Sequence, residues 1–265
     1  MSALAGKRAL VCGSTQGIGR ACALEFARLG AGVTLLARNE QALRTVRDEA
    51  IAASPAGAAP RHDYLQADFS RPDDVAAVVT KHLERTGPAA ILVNNTGGPP
   101  PGPIFAADAE AFRAAFTAHV LCNQVLAQLL VPGMKELRYG RIINIISTSV
   151  KQPIPGLGVS NTIRGAVASW SKTLATELAP YGITVNNILP GFTDTQRLRA
   201  LIGTKAREAG VSEADIERQM MESIPMGRFG APQELAAVAG FLASPAASYL
   251  TGVSLPIDGG RTSCL

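Results

Sequence analysis

The segment Cys12-Gly13-Ser14-Thr15-Gln16-Gly17-Ile18-Gly19 has the residue types and spacing to hold a pyrophosphate. Glycines let a backbone turn sharply and approach phosphate oxygens. A helix that starts there adds free N–H groups and the positive end of its dipole. A glycine loop alone is a weak signal, because tight turns use the same residues. Its place after the first strand-like run strengthens it. The second such run ends Leu36-Ala37-Arg38-Asn39. An acid there would hold a ribose 2′-hydroxyl, but Ala37 is neutral and Arg38 suits a 2′-phosphate. Together these features point to NADP(H), with NAD(H) as the lesser alternative.

Such a loop works only if strands and helices alternate around it, and the chain supplies that order. Apolar runs rich in Val, Ile and Leu at Lys7–Cys12, Gly32–Ala37, Asp63–Ala67, Ala90–Asn94, Arg141–Ile146, Thr184–Leu189 and Val253–Ile257 read as strands. Helical patterns lie at Gly17–Leu29, Glu40–Ala53, Pro72–Arg85, Asp108–Lys135, Thr162–Pro180 and Pro232–Ala243. This alternation predicts an α/β fold: one Rossmann-like, doubly wound domain with a seven-stranded parallel sheet and helices on both faces. An α/β barrel would need eight units and gives the glycine loop no role. The stiff loop Gly97–Pro103 follows the fourth strand. A polar, helix-prone stretch, 192–224, reads as a lid over a cleft.

The 265 residues suit one domain. The net charge of +4 comes from scattered basic residues, which argues against nucleic-acid binding. Cys12, Cys22, Cys122 and Cys264 make no C-x-x-C pair and the three His are far apart, so no metal site or disulfide framework is expected. The first strand begins within a few residues of the start, and no apolar run approaches 18 residues. A cytoplasmic protein with no membrane segment is the expectation.

In its ordered motifs the chain resembles the short-chain dehydrogenase/reductase family. The motifs are Gly13-x-x-x-Gly17-x-Gly19, Asp68 in Ala67-Asp68-Phe69, Asn94-Asn95-Thr96-Gly97, Pro190-Gly191-Phe192-Thr193-Asp194-Thr195, and the C-terminal set Gly227-Arg228-Phe229-Gly230, Tyr249-Leu250-Thr251-Gly252 and Asp258-Gly259-Gly260. The resemblance spans nearly the whole chain and is nearest to a divergent branch related to 3-oxoacyl-(acyl carrier protein) reductases. It implies hydride transfer between nicotinamide C4 and a carbonyl or alcohol carbon. It places Gly13, Ser14, Gln16, Gly17, Ile18, Gly19 and Arg38 on the cofactor's phosphates and ribose, and Asp68 on the adenine. Asn95, Gly97, Pro190, Gly191, Thr193 and Thr195 then fall at its nicotinamide end. It also implies a homotetramer or homodimer through the helices at 108–135 and 162–180.

The family's catalytic group is Asn, Ser, Tyr and Lys, and three of the four positions differ here. Ser147 keeps the Ser position. Ser160 stands for Tyr, Arg164 for Lys, and His119 for the Asn. A serine hydroxyl is far less acidic than a phenol and stops ångströms short of it. Arg stays cationic and cannot shuttle a proton, though it can clamp ribose hydroxyls or an anionic substrate. Ser160 and Arg164 share a helix face, one turn apart. As a replacement proton source the sequence offers His119, whose imidazole type titrates near neutrality, although a His on this helix is more often a hydrogen-bonded structural residue. Lys151 reads first as solvated, Tyr181 as packing, and Ser149 shares the high pKa of Ser160. Water in the space left by the Tyr ring is the remaining candidate. The leading expectation is an oxidoreductase with an altered proton relay. The alternatives are a catalytically impaired nucleotide-binding or regulatory homologue, and a lyase or isomerase on the same fold.

Overall fold

The computed structural model describes residues 2–56 and 60–264. Its elements run β1 (Arg8–Cys12), α1 (Gly17–Arg28), β2 (Gly32–Ala37), α2 (Glu40–Ala53), β3 (Asp63–Gln66), α3 (Pro72–Thr86), β4 (Ile91–Asn94), α4 (Ala109–Phe116), α5 (Cys122–Glu136), β5 (Gly140–Ile145), α6 (Gly158–Leu178), β6 (Ile183–Pro190), α7 (Gln196–Ala209), α8 (Glu213–Glu222), α9 (Pro232–Ala243) and β7 (Ser254–Ile257). The seven strands form one parallel sheet in the order β3-β2-β1-β4-β5-β6-β7. Strand order reverses between β1 and β4, which opens a crevice at their C-terminal ends.

Side chains leave a strand to alternate faces, so each central strand feeds two cores. Ala9 and Val11 of β1 pack with Phe26 of α1, Leu43 of α2 and Ala239 of α9. Leu10 and Cys12 pack on the other face with Val79 of α3, Leu126 of α5 and Leu178 of α6. Burial on both faces explains why these strands read as continuous apolar runs. Small residues bring α9 close to α1: a Cβ on Gly240 would come 2.9 Å from Leu29 Cδ1.

One row of the sheet is polar. Asn94, Asn144, Asn187 and Ser254 are register neighbours on β4, β5, β6 and β7. Asn94 Nδ2 donates to Asn144 Oδ1 at 2.8 Å. Asn144 Nδ2 donates to Asn187 Oδ1 at 2.9 Å and to Ser171 Oγ of α6 at 3.2 Å. Asn187 Nδ2 donates to Ser254 Oγ at 3.0 Å. Amides buried this way are held because an unpaired one is costly.

Most expected bounds shift by a residue or two, and the larger differences have physical reasons. The helix expected to start at Thr162 starts at Gly158, because its start pairs with the proline-rich loop. Gly102 bridges to Leu157, and Gly158 N donates to Gly102 O at 3.1 Å. The helix expected over Asp108–Lys135 runs as Ala109–Glu136 but contains a π turn at Thr117–Leu121. An 18-residue window of that helix has mean hydropathy 1.4, enough by length and composition to pass for a membrane span. Its buried face, including Leu126, Leu130 and Met134, packs into the core. The lid stretch holds two helices, α7 and α8, over a small core of Leu198, Ile202, Ala206, Ile216 and Met220.

The amide row predicts a stability effect. Asn144→Ala strands Asn94 Nδ2 and Asn187 Oδ1 inside the sheet, at about 1–3 kcal/mol for each group left unpaired. Urea unfolding of this variant should show a loss of about 3 kcal/mol. A loss below about 1 kcal/mol would show that water or relaxation takes over these bonds.

Candidate active site

The glycine loop lies at the crevice between β1 and β4. Gly13 and Gly17 adopt φ of 57° and 53°, which side-chain-bearing residues avoid. A Cβ on Gly13 would sit 2.6 Å from Asn95 O. Asn95 Nδ2 donates to Cys12 O at 3.3 Å and Gly13 O at 3.2 Å, tying the end of β4 to the turn after β1. Gln16 precedes α1 without a side-chain cap, so the first-turn N–H groups of Gly17, Ile18 and Gly19 keep no intrahelical acceptor. These donors fit a pyrophosphate. The Ile18 side chain packs on the core. Ser14 is fully buried and its Oγ accepts from Leu36 N at 3.2 Å. Its side chain therefore supports the loop.

Beyond the end of β2, Arg38, Asp68 and Arg71 line one cavity with Gln66, Ala67 and Asp74. Arg38 is 78% exposed in its side chain and stands 3.9 Å from Asp68 Oδ2. The Ser70 N–H, donated to Asp68 at 2.9 Å, holds its carboxyl below the usual range, with Arg38 and Arg71 contributing. An exposed guanidinium over an ionised Asp suits a phosphorylated ribose next to an adenine amino group. Arg71 was missed by sequence reasoning. It belongs to no motif, and only the turn at Asp68–Arg71 brings it there.

At the other end, Gly97 has nothing within 4 Å of a hypothetical Cβ, and its carbonyl bonds His119 Nε2 at 3.1 Å. Pro190 ends β6, and Gly191 is pressed against Asp258, where a Cβ would come within 2.6 Å. Thr193 is buried and bridges to Gly230, which links the Pro-Gly motif to the Gly-Arg-Phe-Gly segment. Thr195 caps α7 by accepting from Leu198 N at 3.3 Å, and its methyl lies 3.3 Å from where a Gly17 Cβ would be. The start of α7 therefore lies against the glycine loop.

The replaced catalytic positions meet where β5 ends. Arg164 is buried and donates from one Nη to Ile145 O at 3.0 Å, two residues before Ser147. Ser160 lies one turn earlier on α6, buried and without a hydrogen-bond partner. Ser147 Oγ accepts from Ser149 N at 3.0 Å, which leaves its own O–H free to donate. Ser149 Oγ is sealed without a partner. Asn161, between Ser160 and Arg164, clamps the loop before α6 through Ile154 O at 2.9 Å, a role with no local sequence signal.

His119 sits in the π turn, 3% exposed. Burial pushes its pKa down to about 3, and the charges of Arg164 and Arg197 add to that. This corrects the expectation of an imidazole poised near neutrality. The ring is neutral at pH 7, and with Nε2–H given to Gly97 O it has no proton to offer. Burial lowers Arg164 to about 10, with Arg197 contributing, which still leaves it a cation at neutral pH. Lys151 is exposed, and Tyr181 stacks under Lys135 Nζ, 4.0 Å from the ring centre.

Comparison with known proteins supports this reading of the fold and crevice. Residues 13–262 match the family model described as Enoyl-(Acyl carrier protein) reductase. The chain is 32% identical over 254 residues to the NADPH-dependent reductase BacG of Bacillus subtilis, covering 96% of this chain and 97% of that one. The structure of L-sorbose reductase from Gluconobacter frateurii, complexed with NADPH and L-sorbose, superposes with a TM-score of 0.92 at 32% identity over 100% of both chains. A short-chain type dehydrogenase/reductase from Mycobacterium marinum superposes with a TM-score of 0.85 at 32% identity, over 98% of this chain and 97% of that one. The chain belongs to the short-chain dehydrogenase/reductase family.

Proposed function

We propose that the protein is an NADP(H)-dependent oxidoreductase acting on a carbonyl or alcohol substrate, with a proton relay that uses solvent in place of a side-chain acid. The observation that carries this reading is the intact cradle at Gly13–Gly19 beside a cleft whose usual acid is replaced by Ser160. When bound, the nicotinamide supplies or accepts the hydride at C4. Free N–H groups at the start of α1 hold the phosphates, and Arg38 holds the 2′-phosphate. Ser147 and Ser160 direct their hydroxyls at the reacting oxygen. Arg164 keeps a fixed positive charge beside the two serines. His119 is a positioning residue: it holds Gly97 O and so shapes the loop beneath the nicotinamide. Neither a serine hydroxyl nor a neutral, hydrogen-bonded imidazole releases a proton readily at pH 7, so water beside Ser160 completes the alcohol.

The same reading includes a homo-oligomer. Phe116 and Leu121 are exposed on the long helix 109–136, where a second copy would cover them. The alternative, a nucleotide-binding homologue without turnover, is favoured by the absence of a titrating acid and is distinguished by NADPH consumption with a carbonyl panel.

Two results are expected. By nicotinamide fluorescence, the protein should bind NADPH at least about tenfold more tightly than NADH, the worth of one charge-assisted phosphate contact. Arg38→Asp should abolish that preference, and equal affinities in the unaltered protein would refute the Arg38 assignment. The second concerns His119. Its folded pKa is about 3 and its unfolded value about 6.5. Below pH 6.5 the unfolded chain binds the extra proton, so stability falls as pH drops towards 3 and is insensitive to His119 above 6.5. Between pH 7.5 and 4.5, the unaltered protein should lose about 2–3 kcal/mol more than His119→Asn does. Equal acid sensitivity in urea melts would show that His119 is not held neutral.

A further inference from the structure

Arg164 is a buried cation without an anion. Its guanidinium has five donors, and the one bond it makes goes to a backbone carbonyl, Ile145 O. No carboxylate contributes to its charge environment; Arg197 is the neighbouring charge. Burying a charge without an opposite partner is costly, so such a site is expected to have one in its working state. The remaining nitrogens of Arg164 make no hydrogen bond among the described residues.

Arg197 lies in the first turn of α7. An Nη donates to Pro99 O at 3.3 Å, and both Nη atoms lie 2.6 Å from where a Cβ on Gly98 would be. Only a glycine at 98 allows the guanidinium head into this position, although the residue as a whole is exposed. Asp194, three residues earlier, is engaged by Arg199 at 2.9 Å, so Arg197 keeps no acidic partner among the described residues. His119 feels both guanidiniums. Arg197 and His119 thus both engage Gly97–Pro99. Arg164 holds the end of the neighbouring β5 at Ile145 O and contributes, with Arg197, to the charge that His119 feels. Ser160 lies one turn from Arg164.

We infer that Arg164 and Arg197 form an anion-binding subsite for a carboxylate on the substrate, which makes the substrate a small oxo acid or the corresponding hydroxy acid. The redox part rests on the oxidoreductase reading above; the anion site does not. A carboxylate between the two guanidiniums replaces Arg197's weak bond to Pro99 O with charge-assisted ones. It also fastens α7 over the substrate and leaves the carbonyl beside the Ser147 and Ser160 hydroxyls.

The test is calorimetry on the full chain, with and without NADP⁺. The probes are 2-oxohexanoate and 4-oxopentanoate, the methyl ester of each, and the neutral S-acetoacetyl-N-acetylcysteamine. The acids should bind at least about tenfold more tightly than their esters, as expected for a charge-assisted contact. Arg197→Met should reduce that ratio to below about threefold, Arg197→Lys should restore part of it, and NADPH affinity should change by less than about twofold. Esters or the thioester binding as well as the acids would overturn the proposal, and so would no binding of any acid. If Arg197→Met weakens NADPH about tenfold and leaves the acid-to-ester ratio intact, the cation serves the cofactor's phosphates and the proposal falls. Acids that bind without oxidising NADPH would uphold the subsite and refute the oxidoreductase reading.

Discussion

The buried amide row from Asn94 through Asn144 and Asn187 to Ser254 is the constraint on which the site depends. It locks the register of β4 through β7, a register that one slipped residue would turn inside out. The residues that follow these strands are the ones that build the cleft. Asn95 and Gly97 follow β4, Ser147 follows β5, and Gly191 through Thr195 follow β6. Asn95 then carries the constraint across to the glycine loop through Cys12 O and Gly13 O. The polar row sits one step below the chemistry and holds four strand ends level.

The two halves of the crevice follow different rules. The phosphate half consists of backbone geometry: positive φ at Gly13 and Gly17, close approach to Asn95, and free N–H groups at α1. The other half has exchanged a titrating acid for fixed charge. Ser160 supplies a hydroxyl that does not ionise, Arg164 a cation that does not discharge, and His119 an imidazole held neutral by burial and two arginines. That combination can orient and polarise a substrate oxygen. It has no proton of its own to deliver near neutrality, which is why solvent enters the proposed chemistry.

Local signals were legible and remote ones were not. The glycine loop, the strand ends and the Ser160-to-Arg164 spacing lie within a few residues, so sequence placed them, and β2, α2 and α9 match their expected bounds. The start of α6 was misplaced because it is fixed by Gly102 and by Ile104, whose Cα would come 2.5 Å from a Cβ on Gly158. The π turn escaped notice because one extra residue in a turn leaves the apolar pattern nearly unchanged. The sequence left His119 between a proton source and a hydrogen-bonded structural residue, because its pKa is set by burial and by Arg164 and Arg197, not by its neighbours in sequence. Arg71 and Arg197 carry no motif, and only folding brings them to the cleft.

The most direct measurement is the single-turnover rate of NADPH oxidation across pH 5.5–9, with an oxo acid that calorimetry shows to bind. With His119 at about 3 and Arg164 at about 10, no described group in the cleft titrates between pH 6 and 8, so the rate should vary by less than about twofold over that range. A sigmoid or bell with an apparent pKa near 7, abolished in His119→Asn, would restore a side-chain acid and contradict the solvent relay. Absence of any NADPH oxidation would contradict the oxidoreductase reading itself.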